Sequence, residues 1–244
     1  MPVLETRKLA KQFGGLVAVN GVDYAVEPGE LRSIIGPNGA GKTTFFNMIA
    51  GDLPPTSGQV IFKGEDITRL SSFERSHRGI GRTYQITNIF PRLSVLENVR
   101  IAAQSRRTTF NMWTGVASHR ELIQKAEHIV DRVRLADKRH DLAGTLSHGE
   151  QRYLEIGIAL ATDPELLLLD EPTAGMSPEE SRETAKFIRG LANSLTIILV
   201  EHDMEIVMGI SDRISVLHYG ELLAEGTVDE IRANEDVRRV YLRE

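Results

Sequence analysis

Three short stretches carry side chains whose types and spacing could do chemistry together. GPNGAGKTT places Gly36, Gly41, Lys42 and Thr43 at the spacing G-x-x-x-x-G-K-[ST], with Pro37, Asn38, Gly39 and Ala40 between them and Thr44 after. Glycines let a backbone wrap an anion with its N–H groups turned inward. LRSII precedes the loop and a helical run follows it, the context that separates a phosphate loop from a chance glycine-rich turn. Lys42 then offers a point charge to the outer phosphates, and the Thr43 hydroxyl a ligand for Mg²⁺.

LLLLDEP ends in Asp170 and Glu171. Two acids alone read as a surface turn. Four leucines leading into them make a buried strand with acids at its carboxyl end, where open α/β sheets bind ligands. Asp170 can hold the metal and Glu171 can deprotonate an attacking water. ILVEHD places His202 beyond another buried strand, at the same edge if both strands share a sheet. It then contacts the γ-phosphate or steers the water. The remaining histidines read as structural, His148 excepted. Gln85, ending GRTYQ, is a weaker signal for a neutral ligand to the metal or the water. Phe13 is either a stacking surface for a base or, taken alone, a core side chain.

The elements that must hold these groups follow from pattern. VLETRKL, LVAVNGVDYAV, ELRSIIG and QVIFKGEDI read as strands, with turns at Pro28-Gly29 and Gly64, and GIGRTYQ as another. TTFFNMIAG reads as a helix stopped by Gly51. From about Leu93 to Leu160 the period becomes helical: ELIQKAEHIVDRVRL sets Leu122, Ala126, Ile129 and Val133 on one stripe. Ala103 to His119 has no clear period. SPEESRETAKFIRGLAN is a helix with Ser177 as N-cap, Pro178 next and Glu180 closing a capping box. RISVLHYGELLAEG is a hairpin, and two short helices follow. The expectation is an α/β fold: one domain over residues 1–244, with an antiparallel β subdomain at the N-terminus, a mainly parallel sheet, and a helical subdomain inserted at about 88–160.

Composition narrows the rest. The 244 residues are 41% hydrophobic and 26% charged, ordinary for a globular chain. A net charge of −5 argues against a non-specific nucleic-acid binder. The absence of cysteine excludes disulfides, thiol catalysis and cysteine-held metal. No run approaches the roughly 18 apolar residues of a membrane span. The expectation is a soluble chain that meets a membrane only through a partner.

A second helix mouth, LSHGEQ, lies between the helical region and the acidic strand. Ser147, His148, Gly149 and Glu150 crowd its entry. Helix mouths attract anions, yet Ser147 with Glu150 is also a capping box. A phosphate loop, then LSHGEQ, then LLLLDEP, then ILVEHD, in that order, resembles the ABC ATPases over nearly the whole chain. The resemblance implies a P-loop NTPase core that binds ATP and Mg²⁺. It makes Phe13 the aromatic stacked on adenine, Gln85 the metal-contacting glutamine between core and helical subdomain, and His202 the switch histidine. It also implies that LSHGEQ caps the ATP of a second subunit, packed head to tail, rather than the chain's own. The family's usual L-S-G-G-Q has His148 and Glu150 substituted here, and its S-A-L-D is replaced by Ala174-Gly175-Met176-Ser177.

Within the family, AGMSPEE, the long insert before ELIQKAE and the C-terminal EIRANEDVRRVYL are similar to the ATPase subunits of branched-chain amino acid, amide and urea importers. That implies membrane permease subunits seated near Ile89–Leu96, where Ile89, Phe90, Leu93 and Leu96 form a groove or simply pack in the core. It also implies a solute-binding protein acting indirectly, no nucleic-acid partner, and a cytoplasmic place at the inner face of the cell membrane. A soluble ABC protein is disfavoured by the single cassette and the absence of heptads. The ATPase of a lipid or lipopolysaccharide exporter is disfavoured by the long insert, and a GTPase by the absence of N-K-x-D. A binding-only chain is disfavoured because Lys42, Asp170, Glu171 and His202 are all present.

Overall fold

Two apolar runs fix the centre of the molecule. In the computed structural model, which describes residues 1–83, 89–105 and 116–241, strands β7 (Leu166–Asp170) and β8 (Thr196–Val200) are buried at every position. Their side chains alternate between two faces. Leu167, Leu169, Ile197 and Leu199 enter one apolar cluster. Leu166, Leu168, Ile198 and Val200 enter another. A strand covered on both sides has no use for polar residues, which is why these runs are continuous.

β3 (Leu31–Ile35) pairs in parallel with β8 and with β9 (Arg213–His218), and β6 (Ile80–Arg82) pairs in parallel with β7. β10 (Glu221–Gly226) closes the edge antiparallel to β9, as the hairpin reading expects. The order is β10-β9-β3-β8-β7-β6. A second sheet, wholly antiparallel, joins β1 (Leu4–Phe13), β2 (Leu16–Val26), β4 (Ser57–Phe62) and β5 (Glu65–Asp66) in the order β2-β1-β4-β5. The GIGRTYQ strand is shorter than its sequence suggests, ending at Arg82; Tyr84 and Gln85 lie outside the described residues.

Helix α1 (Lys42–Ala50) fills the space between the sheets with Phe45, Phe46, Met48 and Ile49. It stops at Gly51, whose φ of +87° is the left-handed cap that glycine adopts freely. α2 (Ser72–Arg78) starts in a Ser71–Glu74 capping box and sends Arg75 into the core. The Arg75 guanidinium donates to the carbonyls of Met48 and Ile49 at 2.7 Å each, and to Leu70 and Thr68 at 3.0 Å. It caps the last turn of α1 from outside the helix. Burial pulls its pKa down to about 10 against the opposing charges of Asp52 and Asp66.

α3 (Val95–Ser105), α4 (Val116–Arg132) and α5 (His148–Ala161) pack on one another over the first cluster. The stripe Leu122, Ala126, Ile129 and Val133 is buried there, as its period requires. α6 (Pro178–Leu191) begins in the Ser177–Glu180 capping box with proline in its first turn. α7 (Met204–Ile210), α8 (Val228–Ala233) and α9 (Glu235–Tyr241) complete the chain.

Register then decides the function of the sheet. Ile34 and Asp170 both lie beside Val200. The glycine loop, Glu171 and His202 therefore leave three adjacent strands at one edge, the usual ligand edge of an open α/β sheet.

Candidate active site

The glycine loop is built by close backbone approach. A Cβ on Gly36 would fall 2.2 Å from the Leu217 carbonyl oxygen, and one on Gly41, at φ +97°, 2.4 Å from that of Ala18. No side chain fits either place. Gly41 caps α1 without a side-chain hydrogen bond, unlike the Ser and Thr boxes that start α2, α5, α6 and α8. The first-turn N–H groups of Lys42, Thr43 and Thr44 find no acceptor among the described residues. Unsatisfied amides and the helix dipole together make an anion site. The β9–β10 turn steadies the loop: the Gly220 N–H donates to the Ala40 carbonyl at 3.0 Å, and the Asn20 N–H to the Gly220 carbonyl at 2.8 Å.

Lys42 is buried, and its ammonium donates to the Gly36 carbonyl at 2.6 Å and the Pro37 carbonyl at 3.1 Å. Burial lowers its pKa, while the charges of Glu171 and Asp170 oppose that shift. The cation of the loop and the acids of β7 thus share one field.

Asp170 is 3% exposed, and its Oδ2 lies 3.5 Å from a guanidinium nitrogen of Arg82. Arg82 also holds Asn47 Oδ1 at 2.6 Å and the carboxylate of Asp52, and covers the ring of Phe46. Burial pushes the Asp170 carboxyl up; Arg82 pulls it down and Glu171 raises it further. A carboxyl raised on folding adds stability below its unfolded pKa and loses it as pH rises through the folded value. Near neutral pH the buried charge is therefore a cost. The nucleotide-free Asp170→Asn variant is expected to melt at a higher temperature than the parent at pH 7, and the difference to shrink toward pH 4. Calorimetry across that range checks both.

Glu171 stands in the left-handed region at φ +47°, a strained place for a residue with a long side chain. Its N–H donates to the Val200 carbonyl at 2.8 Å. Nε2 of His202 lies 2.9 Å from Glu171 Oε2.

A cleft of about 480 Å³ is lined by residues 38–44 of the loop, Lys42 among them, and by Glu171 and His202. Phe13, Leu16, Val17 and Tyr219 form an apolar rim. Phe13 is 47% exposed, so its reading as core is overturned: Phe13 pairs with Leu16 across the Gly14-Gly15 turn, at the tip of a hairpin, with the Lys11 ammonium 5.2 Å from its ring centre. Tyr219, 81% exposed at φ +47°, was not singled out by its sequence. The available signal was an aromatic just before the hairpin glycine, in HYG. Arg82 and Glu201 were missed for a different reason: their partners are remote in sequence.

Thr43, at the start of α1, and Asp170, at the end of β7, offer hard oxygen donors. Among the described residues no three His, Asp or Glu cluster as a metal cage. Two hard oxygen donors suit Mg²⁺, which takes one or two protein oxygens and completes its shell with water and phosphate. Gln85 lies outside the described residues.

The second helix mouth is not part of this cleft. Ser147 caps α5: its Oγ accepts from the Glu150 N–H at 3.4 Å, and Glu150 Oε2 accepts from the Ser147 N–H at 2.9 Å. Lys138 donates to the other Glu150 oxygen and, as the largest cause, holds that carboxyl below its usual range. The His148 ring packs beside Gly175, where a Cβ would sit 3.4 Å from it. Of the apolar quartet, Ile89 and Leu96 pack against the helical cluster, while Phe90 is 55% exposed. The Phe90 backbone is pinned to the Asn98 side chain at 2.7 and 3.1 Å.

Sheet, glycine loop and acidic edge define a P-loop nucleotide-binding protein. A family model described as "ABC transporter" matches residues 19–174. A second, "Branched-chain amino acid ATP-binding cassette transporter", matches residues 221–242. The chain is 41% identical to the high-affinity branched-chain amino acid transport ATP-binding protein BraF of Pseudomonas aeruginosa, over 100% of this chain and 98% of that one. Its fold matches MJ1267, an ATP-binding cassette of an ABC transporter, in the ADP conformation, with a TM-score of 0.86 and 30% identity over 100% of both chains. It also matches the dimeric cassette MJ0796 bound to ADP and Pi, with a TM-score of 0.78 and 25% identity over 92% of this chain and 98% of that one. The chain belongs to the ABC transporter family, as one of its ATPases.

Proposed function

We propose that this chain hydrolyses ATP to drive an importer of branched-chain amino acids or chemically similar small polar solutes, working as one of two ATPase subunits closed head to tail around two ATP. The Glu171–His202 contact at the mouth of the cleft, with the second helix mouth outside it, carries the reading. A base and its orienting group line the cleft of the chain's own glycine loop, while the second helix mouth lies outside that cleft, which leaves it to serve a partner. The full-length similarity to BraF and the C-terminal match support the importer assignment.

Each residue then has a task. Phe13 stacks on adenine at the apolar rim. Residues 36–44 wrap the phosphates with backbone amides, and Lys42 turns from its own loop carbonyls to the outer phosphates. Thr43, Asp170 and Gln85 would hold Mg²⁺, which when bound would supply positive charge to offset that of the phosphates. Glu171 takes the proton of the attacking water, and His202 orients Glu171 and the γ-phosphate. Ser147, His148, Gly149 and Glu150 exchange their capping contacts for the partner's ATP. The helical subdomain at about 88–160 carries that mouth and, through Phe90 and its neighbours, meets the permease subunits. Among the described residues no helix is long and apolar enough to cross a membrane, so the chain reaches the inner face of the cell membrane through that contact.

Ser147→Arg tests the division of labour. It is expected to keep ATP affinity within about threefold and to stop hydrolysis, since an arginine fills the mouth without touching the chain's own cleft. Titration with a fluorescent ATP analogue and phosphate release measure the two. Loss of ATP binding would make the motif structural. In cells lacking the chain, selective loss of leucine, isoleucine and valine uptake tests the solute; unchanged uptake would overturn it.

A further inference from the structure

A strained residue survives only where its surroundings over-determine it. Glu171 is such a residue at φ +47°. Its backbone bond to Val200 fixes one side. On the other side the chain turns at once, with the Ala174 N–H donating to the Glu171 carbonyl at 3.1 Å. What holds this turn against β8 is the side chain of Glu201.

Glu201 is 2% exposed, directly after β8, whose residues from Ile197 to Val200 are all apolar. Its Oε1 accepts from the Thr173 N–H at 3.0 Å and from the Thr173 hydroxyl at 2.6 Å. Its Oε2 accepts from the His202 N–H at 3.1 Å. No cation lies within ion-pair distance among the described residues; three donors of the protein itself satisfy the group. Two of those donors belong to the turn that follows Glu171, and the third is the backbone of the residue whose ring touches Glu171. One buried carboxylate therefore spans the two segments that carry the Glu171–His202 contact.

We infer that Glu201 is a positioning residue for hydrolysis: it fastens the Glu171 turn to the His202 backbone and keeps both side chains aimed at one point in the cleft. It touches neither the phosphates nor the water and acts through its neighbours. The inference rests on Glu171 and His202 being the hydrolytic pair. Charge-assisted bonds to backbone amides are the strong kind, and a group with two acceptor oxygens is required. Glutamine would turn an amide N–H₂ against one of the backbone donors, loosening one end at nearly constant volume.

The experiment uses the full chain. Glu201→Gln is expected to lower kcat about 10- to 100-fold, the scale of a misplacement near 1 Å, while KM and the dissociation constant for ATP stay within about threefold. Its effect should vanish in the Glu171→Gln background, because a residue acting through Glu171 has nothing left to position. Thr173→Val, which removes only the 2.6 Å bond, is the milder companion should Glu201→Gln not fold. It too should lower kcat without moving KM. Parent-like kcat in both variants, or a Glu201→Gln effect that adds in full to that of Glu171→Gln, would overturn the inference. If Glu171→Gln alone hydrolyses at the parent rate, the hydrolytic pair is wrong and the inference falls with it. If that variant is inactive while Glu201→Gln is parent-like, only the positioning role fails.

Discussion

The Glu171→Gln variant is expected to bind ATP, to hydrolyse it about 10²- to 10⁴-fold more slowly, and to double its mass in solution when ATP is added. The first figure is the usual contribution of a positioned base. Glutamine keeps the size of the side chain and its contact distance to His202 but cannot take a proton. The doubling follows from persistence: under the proposed head-to-tail pairing, ATP that is not cleaved would continue to bridge a glycine loop on one chain and a Ser147 mouth on the other. Light scattering with and without ATP reads it directly, and removal of ATP should return the monomer. A monomer that holds ATP throughout would mean that two copies of this chain do not close on each other, and adding a second ATPase chain would then be needed for the doubling. Parent-rate hydrolysis would remove Glu171 from the mechanism.

Lys42→Ala is expected to weaken ATP binding by about 2–5 kcal/mol, the cost of truncating one side of a buried charge pair, or roughly 30- to several-thousand-fold. The structure gives the reason for so large an effect. Lys42 lines the cleft as a buried ammonium in the field of two acids; without it the phosphates meet Glu171 and an Asp170 offset only in part by Arg82. Mixing makes the prediction sharper. Lys42→Ala has an intact Ser147 mouth, and Ser147→Arg has an intact glycine loop. Each alone should be inactive, and the two together should regain part of the parental activity, since a mixed pair contains one complete site. No recovery would place both motifs in the same chain's site.

Much of this was legible in the sequence because it was local. The glycine loop is nine consecutive residues, the buried strands announce themselves as apolar runs, and the Ser147 and Ser177 boxes are closed by residues three positions on. The order of motifs then gave the family, which the full-length similarity to BraF bears out. What stayed hidden was made by pairs far apart in the chain. Arg82 reaches Asp170 across 88 positions, and Glu201 reaches Thr173 across 28. A lone arginine ending a short strand, or a glutamate before a histidine, carries no mark of such a partner. Phe13 misleads for a third reason. An aromatic in an alternating strand reads as core unless the turn beyond it is known to leave that end of the sheet uncovered.

The Ser147–Glu150 cap, with Lys138 behind it, bears on how two copies would part under the proposed head-to-tail pairing. In a lone chain Ser147 and Glu150 already satisfy each other's N–H groups, while those of His148 and Gly149 find no acceptor among the described residues. A partner's phosphates would meet two open amides there but would have to take the Ser147 and Glu150 side chains from bonds already made. That exchange would offset part of the grip between the two copies, and the ring would re-form at each mouth once phosphate left, favouring separation.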